Sequence, residues 1–155
     1  MANIDKSLRR AEKAVATSNW AEAAKHYLQV VEVSEYPEAL LFLSYSESNA
    51  GNYRLARTYA LRAEAARPRL RSPVLVLRLL SRLRHFNETD ALRRFITGSP
   101  FLREMDPKVL QAVSAQLSYI GEQEQAAQLL DQAVAMRPDV HELLLARAQI
   151  NVFLG

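Results

Sequence analysis

The sequence predicts an all-α protein made of antiparallel helix pairs that recur about every 34 residues. Three observations carry this. Apolar residues follow helical spacing along nearly the whole chain, as with Ile4, Leu8, Ala11 and Val15. No stretch alternates as a strand would. Small residues and turn residues also return at fixed intervals: Gly51, Gly121 and Gly155 are 70 and 34 apart, and Pro68 and Pro138 are 70 apart. Ala23, Ala56, Ala91 and Ala126 lie at intervals of 33, 35 and 35, and Val30, Ala63, Gly98 and Ala133 follow seven residues later in each copy. Two antiparallel helices joined by a short turn nest closely only where side chains are small. A pair built this way cannot bury its apolar stripe alone, so pairs stack.

The elements follow in order. Nine helices are expected, at about 4–17, 20–34, 37–49, 53–66, 73–85, 88–97, 107–120, 123–136 and 140–154. Pro37 opens the third at a first-turn position. Residues 98–106 are the longest connection, with an extra turn at 101–105. The fifth helix is the most apolar, and its phase is open by one residue. One alignment turns Arg78 and Arg82 inward. The other buries Leu79, Leu80 and Leu83 and is preferred, because an unpaired buried arginine is costly. The preferred phase brings a turn one residue shorter. The chain reads as a single repeat domain, 1–155, with repeats at about 4–36, 37–70, 71–105 and 107–139 and a half repeat at 140–155.

The pattern Gly51, Tyr53, Ala56, Tyr59, Ala63, Pro68 resembles the second half of the tetratricopeptide repeat (TPR) motif, with Tyr59 one place early. Gly121, Ala126, Ala133 and Pro138 repeat it. Ser18, Trp20, Ala23 and Tyr27 do so with Glu35 in place of the proline. The third copy departs most: Phe86 stands for the turn glycine, Glu88 for the aromatic and Gly98 for the usual alanine. The resemblance spans nearly the whole chain. It implies a TPR-like α-solenoid, a right-handed superhelix whose concave face is lined by the first helix of each pair.

Carried over position by position, the resemblance puts Glu38, Leu41, Tyr45, Ser48 and Asn49 of the second repeat on that face. From the fourth come Lys108, Gln111, Ala115, Ser118 and Tyr119. From the third come Val76 or Leu77, Leu80 or Ser81, and Arg84. The expected partner-binding groove is therefore Leu41, Tyr45, Asn49, Leu80, Arg84, Gln111 and Tyr119, which suits an extended peptide or a helix with tyrosine anchors. Family members that clamp acidic chaperone tails carry lysine and asparagine at two of these places. Here those places hold Leu8 and Glu12, Leu41 and Tyr45, or Gln111 and Ala115, so that specialisation is not expected.

Charge is uneven. The net charge is +3, but residues 54–94 hold eleven arginines against three carboxylates. Arg67, Arg69 and Arg71 surround Pro68 at a helix end, where cations suit the dipole. Arg78, Arg82, Arg93 and Arg94 form a possible anion-facing cluster or, alternatively, solvated helix faces paired with acids. Few aromatics interleave with them, so stacking on nucleic-acid bases is not expected.

Catalysis is not expected either. There is no cysteine, no phosphate-cradling glycine loop and no nucleophile elbow. His26, His85 and His141 lie far apart, so neither a metal nor a cofactor is expected. The longest apolar run, residues 39–43, is five residues, too short for a membrane span, and the cytoplasm is the expected location. The reading is a protein-interaction scaffold. Two others stay open. The chain could be the amino-terminal docking module of a larger enzyme; its texture resembles bacterial proteins that join such repeats to a sulfotransferase domain, although no residue here identifies that domain. It could also self-associate through its ninth helix, where Leu145, Val152 and Phe153 are the expected surface.

Overall fold

The computed structural model describes residues 2–70 and 72–154; the side chains of Ala2, Asn3 and Phe153 are outside the description, as are Arg71 and Gly155. The described residues form nine α-helices and no strand. These are α1 (Ala2–Ala16), α2 (Trp20–Val31), α3 (Pro37–Asn49), α4 (Tyr53–Ala65), α5 (Pro73–His85), α6 (Thr89–Thr97), α7 (Pro107–Tyr119), α8 (Gln123–Met136) and α9 (His141–Leu154). Short 3-10 helices follow α4 at Arg67–Arg69 and α6 at Pro100–Glu104. The first was not anticipated from the sequence.

Helix boundaries follow from two local devices. The first helix of repeats two, three and four starts with proline, at Pro37, Pro73 and Pro107, where a missing N–H costs nothing. Each second helix starts after one left-handed residue. These residues are Ser18 (φ 57°), Gly51 (φ 84°), Asn87 (φ 56°) and Gly121 (φ 90°). In all four turns the next N–H reaches back five residues: Asn19 to Ala14, Asn52 to Glu47, Glu88 to Leu83 and Glu122 to Leu117, at 2.8–2.9 Å. This is the hydrogen-bond pattern of a Schellman cap. The residue that closes one helix thereby opens the next, and a hairpin results.

The third copy corrects the sequence alignment. Its turn residue is Asn87, not Phe86, and its turn has full length. The first hydrogen bond of each second helix is made by the N–H of Ala23, Ala56, Leu92 and Ala126. Leu92, not Ala91, therefore continues the alanine series. Seven residues before each turn stand Ala11, Ser44, Leu80 and Ser114, all buried. Ser44 Oγ donates to the Ala56 carbonyl at 2.8 Å, and Ser114 Oγ donates to that of Ala126 at 2.9 Å. A small residue with a small residue sets the close approach in these pairs. The third repeat instead puts Leu80 and Leu92 at the corresponding places, and α5 and α6 lie together over a shorter stretch than the other pairs. The preferred phase of α5 agrees with the structure in burying Leu79, Leu80 and Leu83, but Arg82 is buried beside them and the turn is not shortened.

The chain divides into two compact units, Met1–Leu70 and Arg71–Gly155. In the first, α1 packs on α2, α2 on α3 and α3 on α4 around Ala23, Tyr27, Val30, Leu40, Leu43 and Ala60. Tyr27 and Phe42 rings meet at 4.8 Å across α2 and α3. Glu35, which stands where the motif has proline, accepts from Arg62 Nε at 3.1 Å, and Arg62 Nη2 also donates to the Val31 carbonyl. Arg69 adds a bond to Ser34 Oγ at 3.0 Å. Two of the central arginines thus fasten the α2–α3 connection onto α4 and the turn after it.

The hydrogen bond from Arg62 holds the Glu35 carboxyl below its usual value. A carboxylate depressed in the folded state contributes stability above its unfolded pKa and loses it as pH falls through the folded one. The Glu35→Gln variant is therefore expected to be less stable than the parent at pH 7. The difference should begin to shrink near the ordinary glutamate pKa, about 4, and be lost only as pH falls through the lower folded value. Urea unfolding at pH 7 and pH 3 checks this; a constant difference would mean that the ion pair contributes nothing.

In the second unit, α5 packs on α7 and α7 on α8 and α9. The core holds Val76, Leu83, Phe95, Leu110, Val113, Leu117, Leu130 and Leu143. No helix among the described residues is long and apolar enough to cross a membrane.

Candidate partner-binding surface

In the second unit the ends of α5 and α7, the first helices of the third and fourth repeats, lie side by side. This brings four polar side chains into one cluster. Arg84 lies in the last turn of α5, with its guanidinium carbon 3.7 Å from the centre of the Tyr119 ring. Its Nη1 donates to Gln116 Oε1 at 3.3 Å. The Tyr119 hydroxyl donates to Asn87 Oδ1, on the left-handed turn residue of the third repeat. Arg84 and Tyr119 are both solvent-exposed, the latter at 41%. The local sequence produces this arrangement. The Schellman turn stops α5 one residue after Arg84, and α7 ends on Tyr119, so both side chains project at helix termini.

The cluster is held but not neutralised. Among the described residues no carboxylate lies within ion-pairing distance of Arg84. A guanidinium already stacked on an aromatic face loses little rotamer freedom when it binds a carboxylate, and with Nη1 on Gln116 the Nη2 and Nε donors of Arg84 remain for one.

The expected groove residues separate into two kinds. Tyr45 and Asn49 are exposed on α3 in the first unit, and Arg84 and Tyr119 are exposed in the second, with Gln111 half-buried. Leu41 and Leu80 are each 1% exposed, so they belong to the core and are removed from the surface. The reason is register: Leu80 occupies the inward place that Ser44 and Ser114 hold. Sequence reasoning missed Asn87 and Gln116. Asn87 was legible as an αL-tolerant residue next to the turn.

The arginines Arg78, Arg82, Arg93 and Arg94 do not make one anion-facing cluster. Arg82 is 6% exposed and stacks on Phe86 at 4.9 Å. Arg93 lies 3.6 Å from both Asp90 and Glu122. Arg78 and Arg94 are exposed on different helices. On α9, Leu144, Leu145, Val152 and Leu154 are exposed apolar residues, with Val152 at 79%. Phe153 lies outside the described side chains. No group of three or more acidic or imidazole side chains converges among the described residues as a metal would require.

The repeated hairpins and their Schellman turns define a TPR-like helical-repeat fold. Among solved structures the chain is similar to MamA proteins. One is MamA from Desulfovibrio magneticus RS-1, 15% identical, covering 98% of this chain and 85% of that one, with a TM-score of 0.63. Another is MamA AMB-1, 16% identical over 99% of this chain and 88% of that one, with a TM-score of 0.60. No family model matches the sequence, and no curated protein matches it significantly.

Proposed function

We propose that this chain is a protein-interaction module that holds an acidic segment of a partner protein against the Arg84–Tyr119 cluster. The observation that carries the reading is a guanidinium stacked on an exposed tyrosine, with no carboxylate among the described residues to neutralise it. Arginine and tyrosine are enriched among interface hot spots, and the Tyr119 ring already restrains the Arg84 side chain. The half-buried Gln111 supplies an amide for the partner backbone. No chemistry is assigned to the chain itself.

Selection of a random peptide library against the immobilised protein tests this. Sequences rich in Asp and Glu are expected from the parent and not from the Arg84→Glu variant. Equal recovery of the same peptides by both proteins would overturn the assignment.

A second reading rests on α9. A helix that exposes Leu145 and Val152 in addition to Leu144 presents an apolar surface to solvent, which favours association with a second copy. Light scattering is expected to show concentration-dependent dimers, abolished in the Leu145→Glu/Val152→Glu variant. A monomer at every concentration would remove this reading.

A further inference from the structure

A cavity of about 370 Å³ lies in the second unit between α6, the 3-10 helix after it, and the α7–α8 pair. Its origin is the irregular third repeat. α6 has nine residues, whereas the other second helices have 12 to 14, so part of the α7–α8 surface is left without a covering helix. The chain then turns through Gly98 and Ser99 into Pro100–Glu104. The floor is apolar, formed by Leu102, Val113, Leu117 and Leu129. The polar wall has two notable members. Ser99 is 1% exposed, and its Oγ is buried without a hydrogen-bond partner among the described residues. Arg103 is exposed, and its guanidinium has no carboxylate partner among them. Gln125, Gln128 and Gln132 add amides along one face of α8.

A buried hydroxyl without a partner is costly, and a turn of the Ser99 side chain about its Cα–Cβ bond would let it donate to a ligand atom in the cavity. The volume is at the lower end of small-molecule sites. We infer that this cavity binds a monocarboxylate with an apolar body, the body on the leucine and valine floor and the carboxylate between Ser99 and Arg103. Such a group occurs both in a free small organic acid and in the last residue of a peptide chain. The site is separate from the Arg84–Tyr119 cluster and does not depend on the function proposed for it.

The test is amide chemical-shift titration of the full chain with three probes. They are 4-phenylbutyrate as a free acid, N-acetyl-leucine as a chain-end residue, and N-acetyl-leucinamide as the uncharged control. Saturable shifts confined to residues 97–103, 113–117 and 125–132 are expected with at least one acid, weakened up to about fivefold in Arg103→Gln. They should be absent in Gln128→Trp, which obstructs the mouth from an exposed position and leaves the helical circular dichroism unchanged. Response to the leucine probe alone assigns the site to a chain end, and response to phenylbutyrate alone assigns it to small acids. No saturable shift with either acid, equal binding of the amide, or shifts at Arg84 and Tyr119 instead would each overturn the inference.

Discussion

Replacing Arg84 by glutamate is expected to weaken binding of an acidic peptide by about 30-fold or more, the scale of an interface hot spot. The loss has two parts. The stacked guanidinium disappears, and a like charge takes its place against the ligand carboxylate. Tyr119 separates the contributions. Tyr119→Ala removes the ring that holds Arg84 in place and is expected to cost about tenfold. Tyr119→Phe keeps the ring, loses only the hydroxyl bond to Asn87, and should stay within about fivefold of the parent, since a single neutral hydrogen bond is worth about 1 kcal/mol. Isothermal titration of the same peptide against the three variants measures this order. None should shift the melting temperature much, because both residues are exposed.

The second large effect concerns stability. Leu92→Ala would convert the third repeat to the small residue that the other three carry at that place. The motif alone predicts a neutral or favourable change. Packing predicts the opposite. Leu92 is fully buried, and its partner position holds Leu80 rather than Ala or Ser. Truncation leaves a cavity that a short α6 has little means to close, so a loss of about 2–5 kcal/mol is expected. At about 2–4 °C per kcal/mol for a chain of this size, the melting temperature should fall by on the order of 10 °C. Thermal melting and urea unfolding measure it, and a loss under about 1 kcal/mol would mean that Leu92 does not fill the interior of this repeat.

Most of the fold was legible because its signals are local. Proline at Pro37, Pro73 and Pro107 and glycine at Gly51 and Gly121 act through one residue's own backbone preference, and the helix boundaries fall within a few residues of expectation. The third repeat was less legible because asparagine serves there for glycine. Phe86 and Ala91 then gave an alignment one residue out of register, and Leu92 was missed. The surface was read least well. Leu41 and Leu80 occupy positions that line the groove in the motif, but burial depends on what packs against them. Arg82 was assigned to an anion-facing cluster, and its burial against Phe86 comes from the tertiary fold. Glu35 looked like a missing proline. Its role appears only when Arg62, 27 residues later, is brought beside it.

The pairing of Arg84 with a partner carboxylate is the central claim, and charge exchange tests it most directly. A selected acidic peptide and its lysine-substituted counterpart are titrated against the parent and against Arg84→Glu. The account predicts that the acidic peptide binds the parent about 30-fold or more tightly than the variant, and that the lysine peptide recovers affinity for the variant. Equal affinity of the acidic peptide for both proteins would contradict it.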